Sequence, residues 1–367
     1  MTARQQAEPL RSIHVGVGTR GKTHVRASLD SDYWQPVALV DVVPDYLAAA
    51  REMTGLPESA CFTTVEDALA AVESDAVIVA SPVTLHAAQI MAGLQADRHV
   101  LTEKCFTVRF ADAERCVAEA AQRDRKLMVV QNARLQAPMR TLRRLVAEER
   151  YGPLGLFMMN FYKARGRAYN PSPHMHLWQQ GVHELDTILS VVQRPLRRVW
   201  GLSNNPAWCD WSSESTFQAI AEFDGGVSGT YLGTSNARAS GFEFRLECAE
   251  AAVIAGDRSG GGIRVQYGPQ DRREETVPLD APDVRGFEAH PAAQAALAGG
   301  ERPRDSAGLH ELLIYRDFAE YITQGKEPES SGKRNLETMG FVEAVQRSTE
   351  LGRPMEVAEL GGGAAGS

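Results

Sequence analysis

The sequence predicts an α/β protein in which a doubly wound parallel sheet is followed by a second domain with antiparallel strands. In the first third of the chain, apolar runs of strand length alternate with helical segments, which is typical of a parallel sheet covered on both faces. Beyond about Gly152 the pattern changes. Residues 242–248 and 263–267 alternate apolar and polar side chains with period two, which indicates antiparallel strands with one solvated face. The length of 367 residues allows about two domains.

The individual elements follow from local signals. Pro44 suits the first turn of a helix that Gly55 can end, and Thr63 with Glu66 resembles a capping box that opens a helix through Ala71. Apolar periodicity predicts strands over 13–17, 38–41, 75–80, 99–102 and 126–130, and helices over 22–29, 46–53, 85–96, 110–123, 309–322 and 335–350. We predict domains over 1–134 and 135–360 and a flexible tail over 361–367.

The composition excludes several classes of protein. A net charge of −8 argues against a nucleic-acid partner, which would require a basic face. No apolar run approaches the roughly 18 residues of a membrane span, and the first ten residues lack the apolar core of a signal peptide. The five cysteines are scattered, odd in number and without the spacing of a disulfide framework or a zinc site. We therefore predict a cytoplasmic protein without a membrane partner.

A glycine-rich turn follows the first predicted strand. Gly16 and Gly18 allow a tight turn and a close approach of backbone to a pyrophosphate, and Gly21 allows the next helix to pack against the strand. The start of that helix supplies N–H groups and the positive end of its dipole. The pattern predicts a dinucleotide site that uses Gly16, Gly18, Thr19, Arg20 and Gly21.

Asp41 ends the second predicted strand at the spacing expected of a ribose-binding acid. A carboxylate there accepts both ribose hydroxyls and repels a 2′-phosphate, so NAD is favoured over NADP. Arg20, in the glycine turn, keeps NADP open as the alternative cofactor.

Three segments are expected to converge over the carboxyl ends of the parallel strands, where such folds bind ligands. The first carries Ser81, Pro82 and His86, and the second carries Glu103 and Lys104. Beside a nicotinamide, the Lys104 ammonium would stabilise charge on a substrate oxygen and relay a proton. Taken alone, Lys104 is more typical of a solvated surface lysine, as most lysines at strand ends are.

The third segment runs from His174 to Asp186. If it is helical, its apolar stripe lies opposite a polar side formed by Gln179, His183 and Asp186. His174 and His176 form a His-x-His pair, but no third ligand is spaced nearby, so we predict that no metal is bound.

These pieces together resemble the Gfo/Idh/MocA family of oxidoreductases over nearly the whole chain. The matching segments are the glycine turn with Asp41, Ser81-Pro82 with His86, residues 99–104, 152–155, 180–186 and 224–226, Arg347-Ser348 and 352–354. The resemblance implies a Rossmann domain followed by an α/β domain with an open, mostly antiparallel sheet that is commonly used for oligomer contacts. A homodimer or homotetramer is therefore expected.

The resemblance also implies site residues. Lys104 and His183 would flank the reacting carbon as the acid/base pair, and Glu103 would lie by the nicotinamide ribose. The remaining residues expected to line the substrate site are Gln179, Tyr162, Lys163, Arg165, His174, His176 and Trp178. The chain departs from the family pattern where Cys105 replaces a proline and where Gln179 replaces an aspartate, so that an acceptor-only carboxylate becomes a neutral amide.

The sequence thus predicts an NAD(P)-dependent dehydrogenase or reductase that acts on a secondary alcohol or ketone of a sugar, cyclitol or glycoside. Two alternatives stay open. One is a glycoside-cleaving or isomerising enzyme in which tightly bound NAD is recycled within the site. The other is a regulatory protein that binds NAD without turnover.

Overall fold

The structure is a computed structural model that describes residues 8–165, 174, 176–258, 260–301 and 306–362. Contacts divide the chain into two compact units. Unit 1 comprises Met1–Val130 and Pro282–Leu336, and unit 2 comprises Gln131–Ala281 and Glu337–Ser367. Most of the predicted flexible tail, residues 363–367, lies outside the described residues.

The described residues of unit 1 form a six-stranded parallel sheet. The strands are β1 (Leu10–Val15), β2 (Trp34–Val40), β3 (Cys61–Phe62), β4 (Ala76–Val79), β5 (His99–Thr102) and β6 (Leu127–Val129). Their order is β3-β2-β1-β4-β5-β6, so the direction of winding reverses between β1 and β4. All four residues of β4 are buried. The predicted doubly wound parallel sheet is confirmed.

Helices connect these strands. They are α1 (Thr19–Leu29), α2 (Pro44–Thr54), α3 (Val65–Ala71), α4 (His86–Gln95) and α5 (Phe110–Gln122). Gly55 ends α2 in the left-handed region, with φ of 71°, as expected of a C-terminal glycine. The cap of α3 is Thr64, whose hydroxyl accepts the backbone N–H of Asp67. The predicted cap at Thr63 was therefore wrong by one residue, because Thr64 is the last residue with extended backbone.

Residues 282–336 were assigned to the second domain from sequence, whereas their contacts group them with unit 1. This segment forms α8 (Pro291–Leu297) and α9 (Leu309–Gln324). The Trp34 indole N–H donates to the carbonyl of Tyr315 at 2.8 Å, and the Trp34 ring stacks on Phe318 with centroids 5.3 Å apart. An indole from β2 thus holds α9 against the first sheet.

The described residues of unit 2 form a nine-stranded sheet. The strands are β7 (Leu154–Ala164), β8 (Leu196–Asn204), β9 (Thr216–Phe223), β10 (Ser228–Thr234), β11 (Asn236–Cys248), β12 (Ala251–Ala255), β13 (Ile263–Tyr267), β14 (Glu274–Val277) and β15 (Met355–Glu356). Their order is β14-β13-β12-β11-β7-β10-β9-β8-β15, and only the pairing of β7 with β10 is parallel among those described. Phe244, Leu246, Ile263 and Val265 are fully buried. The predicted alternation with one buried face is confirmed.

Three helices accompany this sheet: α6 (Ala137–Ala147), α7 (Val182–Val192) and α10 (Gly332–Leu351), whose first residues belong to unit 1. A Cβ placed on Gly201 would lie 2.5 Å from the carbonyl oxygen of Val345, so glycine lets α10 approach β8 closely. The Ser348 hydroxyl accepts the Gly201 N–H at 2.8 Å. No helix in the described part of the chain is long and apolar enough to cross a membrane.

Candidate functional site

The glycine turn has the geometry that a dinucleotide site requires. Gly16 has φ of 79°, and a Cβ placed on it would lie 2.5 Å from the backbone nitrogen of Ser81. A Cβ on Gly21 would collide with the carbonyl oxygen of Gly16. Both positions therefore require glycine. The first N–H groups of α1, beginning at Thr19, are directed away from the helix body and suit an anionic phosphate.

Asp41 lies directly after β2 and is bonded to the glycine turn. Its Oδ2 accepts the backbone N–H of Val17 at 2.8 Å, and its Oδ1 accepts the N–H of Val43 at 3.0 Å. Tyr46 of α2, 40% exposed, packs its ring against Gly18. The sequence reasoning missed Tyr46, although an aromatic residue in the first turn of the helix after Asp41 could have indicated it. These residues fit a dinucleotide: bare backbone faces the phosphate position, and a carboxylate stands where the ribose is expected.

His86 joins the first two predicted segments. Its Nε2 lies 3.0 Å from the carbonyl oxygen of Ser81, and its Nδ1 lies 2.9 Å from that of Cys105. The ring is 1% exposed, and burial lowers its pKa below the ordinary value. Ser81 hydrogen-bonds Gln89 at 2.5 Å, and Pro82 precedes a short 3-10 turn. The buried His86 ring thus connects the segment that follows β4 with the segment that follows β5.

Glu103 follows β5 and is 5% exposed. Its carboxylate accepts a hydrogen bond from Arg20 Nε, lies 2.9 Å from His24 Nε2, and accepts the backbone N–H of Lys104 at 3.1 Å. Arg20 also donates to Glu311 at 3.1 Å. His24 and Glu311 were missed by the sequence reasoning, because His24 resembles an ordinary helix residue and Glu311 lies some 200 residues further along.

Lys104 is partly buried, and its peptide bond to Cys105 is cis. The Cys105 thiol is fully buried and donates to the carbonyl of Thr107 at 2.9 Å. Burial raises the pKa of this thiol to about 12, so Cys105 stays protonated and is not a nucleophile.

In unit 2, the segment before His183 is a π-helix over Leu177–Gly181, which continues into α7. π-Helical segments of this kind are frequent at functional sites. Gln179 and His183 are partly exposed. Asp186, by contrast, is fully buried in a salt bridge with Arg134. The predicted shared polar side was therefore wrong for Asp186.

Glu184, next to His183, is also buried. Its Oε1 accepts from Arg258 at 2.9 Å and from the Gln180 side chain at 3.3 Å, and Gln180 in turn accepts from Arg165 at 3.0 Å. This chain of contacts connects the predicted residue Arg165 to α7. Arg258 was missed, because it belongs to no recognisable spacing. Glu184 lies in the matching segment 180–186, but no role was predicted for it.

Tyr162 and Lys163 are neighbours on β7, and strand alternation places them on opposite faces of the sheet. Lys163 Nζ lies 4.5 Å from the centre of the Phe161 ring, on the face that also buries Phe157. Tyr162 shares the other face with the exposed Leu156. The structure thus does not bring Tyr162 and Lys163 together.

The two histidines of the His-x-His pair have different partners. His174 donates its backbone N–H to Glu214, and its Nε2 lies 3.5 Å from Glu350. His176 is 1% exposed and hydrogen-bonds Ser235 at 2.7 Å. No group of three or more His, Cys, Asp or Glu side chains that could hold a metal ion is present among the described residues.

Trp178 is 3% exposed, and its indole N–H donates to the side chain of Gln346 on α10 at 2.6 Å. Its role as substrate lining, like that of His176, stays a prediction.

Comparison with known proteins agrees with this architecture. A model of the oxidoreductase family with an NAD-binding Rossmann fold matches residues 10–131, and a model of the GFO/IDH/MocA C-terminal domain matches residues 139–254. An uncharacterised protein, y4oX, of Sinorhizobium fredii is 24% identical over 363 residues, which cover 95% of this chain and 96% of the relative. D-Apiose dehydrogenase of Paraburkholderia graminis is 24% identical over 352 residues, covering 94% and 89% of the two chains.

A solved structure shares the fold. The crystal structure of an oxidoreductase from Agrobacterium radiobacter, in complex with NAD+, L-tartaric acid and magnesium, superposes with a TM-score of 0.79 at 17% identity. The match covers 96% of this chain and 100% of that one. The two family models together span more than half of the sequence, and the chain belongs to the Gfo/Idh/MocA family of NAD-binding oxidoreductases.

Proposed function

We propose that this protein transfers hydride between NAD and a secondary alcohol or ketone of a sugar, cyclitol or glycoside. One observation carries the proposal. Lys104 follows a strand of the NAD-binding sheet, and the neighbouring Glu103 carboxylate bonds both the Lys104 backbone and Arg20 of the glycine turn. The backbone that carries the cationic Lys104 side chain is thus connected to the dinucleotide turn through Glu103. D-Apiose dehydrogenase, similar along 94% of this chain, supports a carbohydrate as the substrate.

Lys104 would hydrogen-bond the substrate oxygen. In the oxidation direction, its amine takes up or relays the hydroxyl proton as the carbon loses hydride. In the reduction direction, its ammonium stabilises the charge that develops on the carbonyl oxygen. NAD, when bound, supplies the hydride acceptor or donor at the reacting carbon.

His183 is the second acid/base residue in this proposal, and Gln179 is a substrate contact. Both are partly exposed side chains of the segment that runs from the π-helix into α7. The buried Asp186 and Glu184 on the same helix are bonded to arginines, so they hold the helix while His183 stays accessible. Lys163, Arg165 and His174 are also proposed to contact substrate.

NAD is preferred to NADP in this proposal. Asp41 holds its carboxylate at the end of β2 through two backbone N–H groups. Arg20, which kept NADP open from sequence, is paired with Glu103 and Glu311. Its charge is therefore already balanced by two carboxylates.

The test is incubation of the purified protein with NAD or NADP and a panel of sugars, cyclitols and glycosides. Absorbance of reduced nicotinamide and product masses are followed together. NADH that appears with a ketone product supports the dehydrogenase. Cleaved or isomerised sugar without NADH contradicts net redox and identifies the recycling alternative, and NAD affinity without turnover on the whole panel identifies the non-catalytic one.

We further propose that the protein is a homodimer or homotetramer. One face of the unit 2 sheet exposes Trp200, Leu202 and Ile220, which are 49%, 45% and 54% exposed, and Trp200 lies opposite Ile220 across β8 and β9. An apolar patch of this kind favours burial against another protein surface. Light scattering after size exclusion measures the assembly. Trp200→Glu with Ile220→Glu is expected to reduce its mass, and a monomeric wild-type protein contradicts the proposal.

A cytoplasmic location is proposed as well. Its support is that all five cysteines are free thiols, as in reducing compartments.

A further inference from the structure

Both oxygens of the buried Glu103 carboxylate are bonded to the protein itself. Oε1 accepts from Arg20 Nε and lies 2.9 Å from His24 Nε2, and Oε2 accepts the backbone N–H of Lys104 at 3.1 Å. The family resemblance implies instead that Glu103 contacts the nicotinamide ribose. Oε1 thus already has two donors, so a ribose hydroxyl would have to share Oε2 with the Lys104 N–H.

Helix α9 supports both side-chain donors to Glu103. Glu311 accepts from Arg20 at 3.1 Å, and the Tyr315 hydroxyl lies 3.3 Å from His24 Nδ1. Glu311 and Tyr315 are four residues apart, so they lie on the same face of the helix. Helix α9 is therefore connected to the Glu103 carboxylate twice, once through Arg20 and once through His24.

The electrostatics of this cluster favour a fixed, ionised carboxylate. Burial alone would raise the pKa of Glu103, but the hydrogen bond from His24 and the charge of Arg20 outweigh it and hold that pKa well below its usual range. Burial lowers the pKa of Arg20, whereas the charges of Glu103 and Glu311 raise it, and the net direction is upward. The cluster thus pairs a buried carboxylate with a guanidinium that is 38% exposed and is also bonded to Glu311.

We propose that Glu103 is a positioning residue for Lys104, held in place by Arg20, His24, Glu311 and Tyr315, rather than a ligand of the cofactor ribose. This inference rests on the proposed role of Lys104. The bond from the Lys104 N–H to Glu103 fixes the backbone from which the Lys104 side chain projects. A displacement of about 1 Å at a reacting group can cost roughly 10²-fold in rate, so a loosened backbone reduces turnover.

Glu103→Gln separates the two roles, because it keeps the size of the side chain and removes its charge. If Glu103 positions Lys104, kcat falls by about 10-fold or more and the dissociation constant for NAD changes by less than about 2-fold. If Glu103 binds the ribose, the dissociation constant rises and kcat at saturating NAD is nearly unchanged. That second result overturns the proposal.

Glu311→Gln tests the same network from helix α9, where Glu311 is connected to Glu103 through Arg20. We expect kcat to fall by about 3-fold with unchanged NAD affinity. Glu320→Gln is the matched control, because Glu320 lies on the same helix and pairs with Lys326 outside the network. An equal effect of both variants overturns the proposal. Glu311→Gln also decides the question if Glu103→Gln does not fold.

A measurement without turnover separates this proposal from the function on which it rests. The acylation rate of Lys104 by the N-hydroxysuccinimide ester of acetic acid is followed by peptide mass spectrometry, relative to Lys326. Positioning predicts that Glu103→Gln changes this ratio by about 3-fold or more. An unchanged ratio overturns the positioning role, whereas a changed ratio in a protein that oxidises no sugar shows that only the proposed function has failed.

Discussion

Arg134 binds Asp186 through two parallel hydrogen bonds, one from Nε to Oδ2 at 2.8 Å and one from Nη2 to Oδ1. Asp186 is fully buried, and the Arg134 side chain is 11% exposed. The Thr338 hydroxyl donates a third bond to the same carboxylate at 3.0 Å. Because Asp186 lies one turn after His183 on α7, this pair fixes the helix that carries the proposed acid/base residue.

Arg134→Met is expected to destabilise the protein by about 3–5 kcal/mol, because it leaves a buried carboxylate without its cation. Denaturant unfolding followed by circular dichroism measures the change. Arg198→Met is the control. Arg198 donates from Nη2 to both oxygens of Glu222 at 2.8 Å, but both side chains are nearly half exposed, so a loss of at most about 1 kcal/mol is expected. Equal losses in the two variants would show that burial does not decide the effect.

The first sheet was predictable from sequence because its signals are local. The strands read as continuous apolar runs, and the glycine turn requires residue types that few other structures need. The membership of residues 282–336 in unit 1 was not predictable. It depends on Trp34 packing against Phe318, a contact between residues that are close only in the folded chain.

The sequence named candidate site residues, which stay predictions, but it did not indicate their surroundings. Helical periodicity alone places Asp186 on a polar side, whereas the structure buries it because Arg134, 52 residues away, supplies the opposite charge. The π-helix before α7 gives no signal in a pattern read at 3.6 residues per turn. Sequence patterns therefore could not predict long-range ion pairs or a change in helical pitch.

Asp41→Ala is expected to change cofactor preference. It removes the acceptor proposed for the ribose hydroxyls and the charge that repels a 2′-phosphate, so the NAD/NADP affinity ratio should fall by about 10-fold or more. Fluorescence titration gives both dissociation constants. Asp45→Ala, an exposed acid in the first turn of α2, is the control and should leave the ratio unchanged. If both affinities fall equally in Asp41→Ala, the carboxylate only supports the turn through Val17 and Val43.

Lys104→Ala is expected to lower turnover by roughly 10²-fold or more with NAD binding largely kept, since general acid/base groups contribute on this scale. Steady-state kinetics on the substrate found in the panel, with NAD affinity measured separately, checks this. Lys326→Ala is the control, because Lys326 is an exposed lysine of the same unit that pairs with Glu320. Turnover in Lys104→Ala at the wild-type rate refutes the assignment.

His14 makes stability depend on pH in a definite direction. It is 2% exposed in β1, its Nε2 lies 3.1 Å from the Ser12 hydroxyl, and burial, with a smaller contribution from His24, lowers its pKa from 6.5 to about 3. The folded protein therefore keeps His14 neutral between these values, while the unfolded chain binds a proton there. Unfolding takes up that proton, so stability is lost as the pH falls from about 6.5 toward 3, by up to about 1.4 kcal/mol per pH unit from this residue. Urea unfolding between pH 6 and pH 4 should show a shallower pH dependence for His14→Gln than for the wild-type protein, and identical slopes would contradict a neutral, buried His14.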